Sequence, residues 1–419
     1  MPEPKNKAFV SIQLHGTNYL VGKLWAHHRK GKESASFEYE SAWLNNPMRF
    51  ALEPNLALTQ GSFHTEAEKS MFGAIGDSAP DRWGRILMRR AESKNAMLEN
   101  RDVRTLSELD YLLGVHDISR QGALRFSYAP DGQYLAESNT NPVPPLVKLP
   151  KLLAATERFI EDKENVEDLK LLLAPGSSLG GARPKASVID CENKLAIAKF
   201  AHKDDEFPTV QWEAVALSLA MESGIKTPKW WLEKINGKAV LILQRFDREA
   251  QNRIPFISAM SMIGAKDNEQ HSYLELVDAL RQYGSQPKYD MAALWQRIVF
   301  NILISNTDDH LRNHGFLYLN EKGWSLSPIY DVNPTPTSIK PRILTTTIDL
   351  DNGTASLDLA LSVADEFGLK PIEAKEIIKK TGKAVSSWKR HAQNLGLTNT
   401  EITRMETAFV HNDSKMAMQ

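Results

Sequence analysis

Asp308, Asn313 and Asp331 have the residue types and the spacing that phosphoryl transfer requires. Asn313 follows Asp308 by five residues, and a strand–turn–strand pattern then leads to Asp331. Enzymes of the protein-kinase type use a catalytic Asp, an Asn five residues later that binds Mg²⁺, and a second metal-binding Asp after a hairpin. Because Asp and Asn are also common in turns, ordinary turn chemistry is the alternative explanation of this segment taken alone.

A hairpin is predicted between the Asn and the second Asp. Residues 316–320 and 324–329 have strand composition on either side of a turn. If that turn centres on Lys322, residues whose numbers sum to 644 face each other, which places Asn313 opposite Asp331. An amide oxygen and a carboxylate would then arrive side by side, and both are hard oxygen ligands of the kind that Mg²⁺ prefers.

Several residues upstream would suit the phosphates of a nucleotide. The segment 177–182, Ser-Ser-Leu-Gly-Gly-Ala, offers backbone N–H groups, although a lone Gly pair is also an ordinary turn. Lys185 follows that loop, and its ammonium group could contact the phosphates in addition to that of Lys199. Lys199 ends an apolar strand, where it either pairs with an anionic group or reaches solvent from a sheet edge. Glu213 lies on the next predicted helix, and a strand Lys paired with a helix Glu holds nucleotide phosphates in kinases.

The other polar residues of the central loop have more than one interpretation. Asp308 would orient the hydroxyl that receives the phosphoryl group and accept its proton. Asp309 would cap the loop. His310 either contacts phosphate or hydrogen-bonds to the backbone, and the structural role is the commoner one for a lone histidine. A zinc hydrolase built on His310 and His314 is disfavoured, because there is no His-Glu-x-x-His pattern.

The composition is that of a globular protein, with 42% apolar and 25% charged residues in 419. A formal net charge of −1 gives no global attraction to nucleic acid or membrane. The single cysteine, Cys191, excludes a disulfide framework and a thiolate metal site. With no signal-peptide pattern and no long apolar run, we expect a soluble cytoplasmic protein.

The order of elements predicts four segments. A β-rich N-terminal subdomain with helices would occupy 1–136, and a proline-rich linker 137–150. A kinase N-lobe with the Gly-rich loop would occupy 151–245, and a helical C-lobe with the catalytic and metal-binding loops 246–419. This order predicts an α+β fold, bilobal and protein-kinase-like.

Local signals predict how these segments begin and end. Ser78 would cap a helix that starts at Ala79-Pro80, and Gly224 would end a helix over 210–223. Asn236-Gly237 would form a two-residue hairpin turn. The nearly apolar stretch 291–305 predicts a buried helix that runs into the Asp308 loop. Later helices are predicted to start near Ser356, Pro371 and Thr398.

As a set, these motifs resemble those of the HipA-type serine/threonine kinases, the toxin components of bacterial type II toxin–antitoxin systems. The resemblance covers most of the chain and its joint pattern is specific. The matching segments are GDSAPDRWGRIL (76–87), SSLGGARPK (177–185), AIAKF (196–200), WEAVALSLAMESGI (212–225), LQRFDR (243–248), NTDDHLRNHGFLYL (306–319) and LSPIYDVNPTP (326–336).

The resemblance implies an ATP- and Mg²⁺-dependent serine/threonine protein kinase in which Asp308 is the catalytic base and Asn313 and Asp331 hold the metal. It implies that Ser178, or the adjacent Ser177, is a loop serine that the enzyme phosphorylates on itself. The implied nucleotide site consists of Gly180, Gly181, Ala182, Arg183, Lys185, Lys199, Glu213, Gln244, Arg245, Phe246, His310, Asn313, Tyr330 and Asp331.

The resemblance also implies partners: a small helix-turn-helix antitoxin of the HipB kind, DNA reached indirectly through that complex, and a protein substrate such as an aminoacyl-tRNA synthetase. The chain departs from the best-known family member, which has Gly in place of Asp309 and Gln-Glu in place of Arg183-Pro184. Neither difference removes a required group. The second is expected to change how the loop folds over ATP.

Two other functions are compatible with the same residues. One is a small-molecule or lipid kinase that uses the same site. The other is a non-catalytic corepressor scaffold bound to DNA with a degenerate nucleotide site. The intact set of Lys199, Asp308, Asn313 and Asp331 argues against the scaffold, because a scaffold could lose each of them without harm.

Overall fold

The structure is a computed structural model, which describes residues 6–135, 143–176, 181, 183–250, 252–320 and 323–419. Residue contacts divide the chain into two compact units. The first comprises Met1–Lys203 with Lys234–Ile257, and the second comprises Asp204–Glu233 with Ser258–Gln419. The first unit contains most of the strands and the second most of the helices, so the α+β class predicted from the sequence is confirmed.

The first unit contains a five-stranded sheet with antiparallel neighbours in the order β4-β3-β2-β1-β5. Its inward-facing core includes Val10, Leu24 and Phe37, all fully buried. A second antiparallel ladder runs β6-β7-β9. The strands are β1 (Lys7–Leu14), β2 (Thr17–Arg29), β3 (Lys32–Tyr39), β4 (Ser62–His64), β5 (Leu124–Ser127), β6 (Lys185–Ile189), β7 (Leu195–Lys199), β9 (Lys238–Gln244), β10 (Arg248–Glu249) and β11 (Asn252–Arg253). Two further strands, β8 (Trp230–Ile235) and β12 (Phe256–Ser258), contain two of the three points where the chain passes between units, and the third follows Lys203.

The helices of the first unit are α1 (Ser41–Leu44), α2 (Gly73–Gly76), α3 (Arg82–Leu98), α4 (Glu108–Gly114), α5 (Leu149–Ile160) and α6 (Val166–Gly176). The predicted cap of α3 was wrong. The helix begins three residues later, because Asp81 is its N-cap and accepts a hydrogen bond from the Gly84 amide at 2.9 Å. The Ser78 hydroxyl instead donates to the Ile75 carbonyl in the preceding turn. Both Asp and Ser are good caps, and the sequence alone did not choose between them.

The second unit is organised around α10, which packs against α9, α11, α12 and α14. Its centre is fully buried and includes Trp295, Ile298 and Phe300. The helices are α7 (Thr209–Ser223), α8 (Ala259–Met262), α9 (Tyr273–Tyr283), α10 (Pro287–Ile304), α11 (Leu357–Ser362), α12 (Pro371–Val385), α13 (Trp388–Asn394), α14 (Asn399–Phe409) and α15 (Asn412–Met416). The hairpin strands are β13 (Gly315–Asn320) and β14 (Gly323–Leu326).

Most local signals in the sequence are confirmed. Gly224 ends α7 in the left-handed conformation, with φ of 84°. Asn236 and Gly237 both have positive φ in the turn between β8 and β9. The helices predicted near Ser356, Pro371 and Thr398 begin there. Within the described part of the chain, no helix has the length and apolar character needed to cross a membrane.

Candidate active site

Asp308 lies on a loop that follows the buried helix α10. The helix ends at Ser305, which adopts the left-handed conformation with φ of 53°. The Ser305 hydroxyl donates to the Ala408 carbonyl (2.8 Å) and accepts from the Arg342 guanidinium (3.1 Å), so the turn out of the helix is fixed. The Asp308 side chain is 72% exposed, and Lys340 Nζ lies 3.7 Å from its Oδ1 atom. The carboxylate is therefore held at the surface next to a cation.

Asn313 is joined to Asp308 within one short turn. It ends the 3-10 helix Leu311–Asn313 and is buried. Its Nδ2 atom donates to the Asp308 carbonyl (3.2 Å), and its backbone N–H donates to the His310 carbonyl (2.8 Å). Because the amide nitrogen is used in this way, the amide oxygen is the atom of Asn313 that can bind a cation.

Asp309 has a different environment from its neighbour Asp308. It is 3% exposed and accepts hydrogen bonds from the Tyr273 hydroxyl and from His314 Nε2, the latter at 2.7 Å. Its carbonyl accepts from the Thr346 hydroxyl at 2.7 Å. Burial opposes ionisation of Asp309, but the charge and hydrogen bond of His314 outweigh it and lower the pKa of this carboxyl. Burial, followed by the Asp309 charge, raises the pKa of Tyr273 well above its ordinary value.

The segment that carries Asp331 lies against the same loop. The Tyr330 hydroxyl donates to the Arg312 carbonyl (2.8 Å), and the Asn333 amide donates to Asn306 Oδ1 (3.3 Å). Asp331 stands between these two contacts in the left-handed conformation, with φ of 56°. The tertiary structure therefore brings the segments of Asp308, Asn313 and Asp331 together.

The register predicted for the hairpin was wrong. Phe316 pairs with Leu326 and Leu317 with Ser325, so facing residues sum to 642 and not to 644. A shift of two residues keeps each side chain on the same face of the hairpin, because side chains alternate with a period of two. Asn313 would thus face Ile329, and the β-ladder ends before it reaches either residue. The contacts of Tyr330 and Asn333, not the ladder, join the Asp331 segment to the Asp308 loop.

Part of the predicted phosphate loop lies outside the described residues, namely Ser177, Ser178, Gly180 and Ala182. Gly181 and Arg183 are described and exposed, and Gly181 has φ of 100°, which favours glycine. Lys185, in contrast, is only 4% exposed. Its Nζ atom lies 3.3 Å from the Asp81 carboxylate. Its ammonium is therefore paired with an acidic residue of the N-terminal subdomain.

Lys199 and Lys185 are direct partners in the ladder between β6 and β7. Facing residues of antiparallel strands project to the same side, so both lysines belong to one face of the sheet. Lys199 is half-buried. Glu213, the other residue predicted to hold phosphates, is buried on α7 in the second unit.

The predicted adenine-binding segment Gln244-Arg245-Phe246 ends β9 and continues beyond it. The Gln244 amide donates to Asp190 (2.6 Å). Arg245 is buried and donates to Asp247 and to the Ser119 carbonyl, each at 2.7 Å, so its guanidinium points into the first unit. Burial opposes ionisation of Asp247, yet its arginine partners prevail and hold its pKa below the usual range. The side-chain contacts of Gln244 and Arg245 within the first unit therefore fix the backbone of this segment.

Three buried polar atoms of the loop remain without a hydrogen-bond partner among the described residues: Thr307 Oγ1, His310 Nδ1 and His314 Nδ1. The first two flank Asp308 and can be satisfied by a polar ligand. Among all the residues that the structure describes, no group of three or more His, Cys, Asp and Glu side chains is placed to hold a metal. One carboxylate with one amide still fits Mg²⁺, which usually keeps waters and substrate phosphates as its other ligands. The residues present therefore fit a magnesium nucleotide.

Three residues that contact Asp309, Asp308 and Lys185 were missed in the sequence: Tyr273, Lys340 and Asp81, respectively. Tyr273 and Lys340 are 36 and 32 residues from the groups they contact, Asp309 and Asp308, and Asp81 is 104 residues from Lys185. No motif spacing connects such distant positions. The contact between Asp309 and His314 could have been predicted, because the two residues lie close together in sequence.

The sequence model of the HipA-like C-terminal domain matches residues 177–388, just over half of the chain. The chain belongs to the HipA-like family. The solved HipA from Shewanella oneidensis, in a toxin–antitoxin complex with HipB and operator DNA, superimposes with a TM-score of 0.65 at 16% identity. The match covers 98% of this chain and 96% of that HipA. This likeness confirms the kinase-like fold predicted from the sequence.

Sequence relatives extend the comparison. A Haemophilus influenzae protein named "Putative kinase" is 27% identical over 45% of this chain. "Putative kinase Y4mE" of Sinorhizobium fredii is 23% identical over 71%, and the serine/threonine-protein kinase CtkA of Helicobacter pylori is 25% identical over 38%. The matches span 60%, 72% and 51% of these relatives, respectively.

Proposed function

We propose that this protein is an ATP- and Mg²⁺-dependent serine/threonine protein kinase that arrests growth as the toxin of a toxin–antitoxin pair. The observation that carries the proposal is the convergence of three segments in the second unit. Asn313 hydrogen-bonds to the Asp308 carbonyl, and the residues flanking Asp331 hydrogen-bond to the same loop. These are the residue types and the order that kinase-type phosphoryl transfer uses.

Each group has a role that its environment suits. The exposed Asp308 carboxylate would orient the acceptor hydroxyl and receive its proton. Asn313 and Asp331 would hold Mg²⁺, which offsets the charge of the phosphates when bound. Lys199 and Glu213 would act on the nucleotide phosphates, and the backbone around Arg245 would meet adenine. The unpartnered atoms at Thr307 and His310 support a polar ligand at this loop.

The partners proposed are those of the family. HipA of Shewanella oneidensis was solved with HipB and operator DNA, and this supports a HipB-like helix-turn-helix antitoxin and indirect DNA binding for this chain. A translation component such as an aminoacyl-tRNA synthetase is the proposed cytoplasmic substrate. Co-purification with the small helix-turn-helix protein of a neighbouring gene tests the antitoxin, and lack of binding to any such protein would contradict it.

The test of activity is Asp308→Asn, with Asp278→Asn as a matched control at another exposed aspartate of the second unit. With labelled ATP we expect the wild type to phosphorylate protein of a cell lysate in preference to extracted metabolites. We expect Asp308→Asn to lose on the order of 10²-fold or more in rate, because the carboxylate acts during transfer. Its melting temperature should stay unchanged, since the side chain is exposed. Near-normal turnover would overturn the kinase assignment, and labelling of metabolites alone would favour a small-molecule kinase.

The same proteins test autophosphorylation. A phosphate on Ser178 would add about −1.5 to −2 charges beside the anion site and compete with ATP for backbone donors. We therefore propose that modification of Ser178, or of Ser177, switches the kinase off. Peptide mass spectrometry should find a gain of about 80 Da at one of these serines in the wild type and not in Asp308→Asn. A phosphorylated sample that binds ATP normally would contradict the switch.

A further inference from the structure

Lys340 presents its ammonium group beside the Asp308 carboxylate. Its Nζ atom lies 3.7 Å from Asp308 Oδ1, which is an ion-pair distance but is too long for a hydrogen bond. Among the described residues, the hydrogen-bond acceptor of this ammonium is the Thr307 carbonyl, at 3.3 Å. An ammonium has three N–H donors, so two of them remain for another partner. The Lys340 side chain is 42% exposed, so a ligand at this loop can reach it.

The segment that carries Lys340 is held on both sides of that residue by the loop that leaves α10. On the N-terminal side, the Thr335 N–H donates to the Ser305 carbonyl at 3.2 Å. On the C-terminal side, the N–H and the hydroxyl of Thr345 donate to the Thr307 carbonyl, at 3.1 and 2.9 Å. These contacts, in addition to the surface ion pair, bring the lysine to the loop.

The same loop has an unused polar group one residue before Asp308. Thr307 is fully buried, and its Oγ1 atom has no hydrogen-bond partner among the described residues. Buried polar groups nearly always have a partner, and a bound polar ligand can be the partner of this hydroxyl. The unused hydroxyl and the two unused donors of Lys340 are therefore independent signs of a ligand at this loop.

The chemistry of transfer determines which ligand group comes next to Asp308. In a kinase of the proposed kind, the acceptor hydroxyl lies about 3 Å from the catalytic carboxylate and about 3–3.5 Å from the γ-phosphorus of ATP. The γ-phosphate oxygens therefore come close to Asp308, whose negative charge repels them. The Lys340 ammonium is 3.7 Å from the same carboxylate on a flexible four-carbon stem, so it can contact these oxygens and offset that repulsion.

We infer that Lys340 binds the γ-phosphate of ATP and lets the site distinguish ATP from ADP. ADP lacks the phosphate that Lys340 contacts, so this lysine contributes to the affinity for the triphosphate and much less to that for the diphosphate. The difference favours release of ADP after transfer. The inference rests on the proposed function, because that function places the γ-phosphate next to Asp308.

Lys340→Met removes the charge and keeps the length of the side chain. The probe is Mg²⁺ with AMP-PNP, an ATP analogue whose γ-phosphate is not transferred. We expect its Kd, measured by calorimetry, to rise about fivefold, the factor for two unit charges about 4 Å apart in water. The Kd for Mg-ADP should change by less than about twofold, because a more distant charge is screened.

Two further variants serve as controls for Lys340→Met. Lys340→Arg keeps the charge and should keep the preference for the triphosphate. Lys389→Met removes another half-exposed lysine of the second unit, which forms an ion pair with Glu406 at 2.8 Å. Both of its affinities should equal those of the wild type. The same loss in Lys389→Met as in Lys340→Met would overturn the inference, because it would reflect only the net charge.

A chemical rescue restores the ammonium at this one position. The chain has a single cysteine, Cys191, which is exposed. In a Cys191→Ser background, Lys340→Cys should bind Mg-AMP-PNP as weakly as Lys340→Met does. Alkylation of the new thiol with 2-bromoethylamine creates a side chain that ends in an ammonium, and most of the lost affinity should return. No recovery would contradict a role for the charge.

The outcomes also separate this inference from the function on which it rests. Failure of the wild type to bind either nucleotide would overturn both. If the wild type binds nucleotide and transfers phosphate, a wild-type ratio of the two Kd values in folded Lys340→Met would overturn the inference alone. That holds whether both affinities stay or both fall, because either result would place Lys340 away from the γ-phosphate. Circular dichroism and melting curves check that each variant is folded.

Discussion

At the scale of single residues, two adjacent aspartates have opposite surroundings. Asp308 is largely exposed, whereas Asp309 is buried and accepts hydrogen bonds from Tyr273 and His314. An exposed carboxylate can exchange a proton with a substrate, while a buried one with fixed donors holds the chain in place. Asp309 therefore anchors the loop on which Asp308 is presented.

Tyr273→Phe tests this anchoring. The change removes the hydroxyl that donates to Asp309 and leaves the rest of the ring in its packed position. We expect a loss of unfolding free energy of about 1.5–3 kcal/mol, typical for a hydrogen bond to a charged group. We also expect a fall in kcat of about tenfold with little change in the KM for ATP, because the Asp308 loop loses its fixed position.

The matched control is Tyr289→Phe, which alters an exposed tyrosine on α10. Urea unfolding and steady-state kinetics of both variants provide the measurement. Equal kcat values for Tyr273→Phe and the wild type would show that Asp309 does not control the position of Asp308.

At the scale of elements, the backbone conformation of a few turns determines the direction of the strand or segment that follows each turn. Gly237 follows Asn236 in the turn between β8 and β9, with φ of 82° and 50° respectively. Such turns match the twist of a hairpin and favour Asn-Gly. β9 leads directly to the Arg245 segment, so this turn sets the register of the predicted adenine-binding residues.

Gly237→Ala should destabilise the protein by about 1 kcal/mol. Among the described residues other than its two chain neighbours, none has a heavy atom within 4 Å of the added methyl group, so the expected cost comes from the left-handed backbone. Gly76→Ala is the control, because Gly76 lies in α2 without positive φ and, among the described residues outside its own helix backbone, its methyl group would meet the Met71 side chain at 4.0 Å. Thermal unfolding of both variants measures the effect. Equal melting temperatures would mean that the turn accommodates alanine without strain.

At the scale of the whole molecule, buried carboxyl groups make stability depend on pH. Glu53 is 5% exposed and accepts the Ala74 N–H at 2.7 Å. Burial, opposed by that hydrogen bond and reinforced by the charge of Asp77, raises the pKa of Glu53 to about 7. Since the raised pKa favours the neutral form in the folded state, this contribution to stability is present at low pH and is lost as pH rises through about 7.

Glu53→Gln should remove this dependence, because an amide oxygen can still accept the Ala74 N–H. We expect the unfolding free energy of the variant, relative to the wild type, to increase by on the order of 2 kcal/mol between pH 5 and pH 8. Urea unfolding at several pH values measures it, with Glu376→Gln on the exposed face of α12 as the control. Parallel pH curves for wild type and Glu53→Gln would contradict the raised pKa.

The sequence by itself determined those features that depend on neighbouring residues. The left-handed cap at Gly224, the Asn236-Gly237 turn and the buried helix before Asp308 were predicted because each has a local cause. The spacing of Asp308 and Asn313 also fits within a single turn, which is why it was informative. The roles of individual site residues remain predictions for the experiments above.

Only the tertiary structure decided which charged and polar groups, distant from one another in sequence, form pairs. The hairpin register was two residues from the prediction, because the turn could be centred in more than one way. The Asp331 segment is joined to the Asp308 loop by Tyr330 and Asn333, whose partners lie 18 and 27 residues away. The pairing of Lys185 with Asp81 spans 104 residues. A buried charge needs a counter-charge, but its own sequence neighbourhood does not specify which one, since packing of remote segments supplies it.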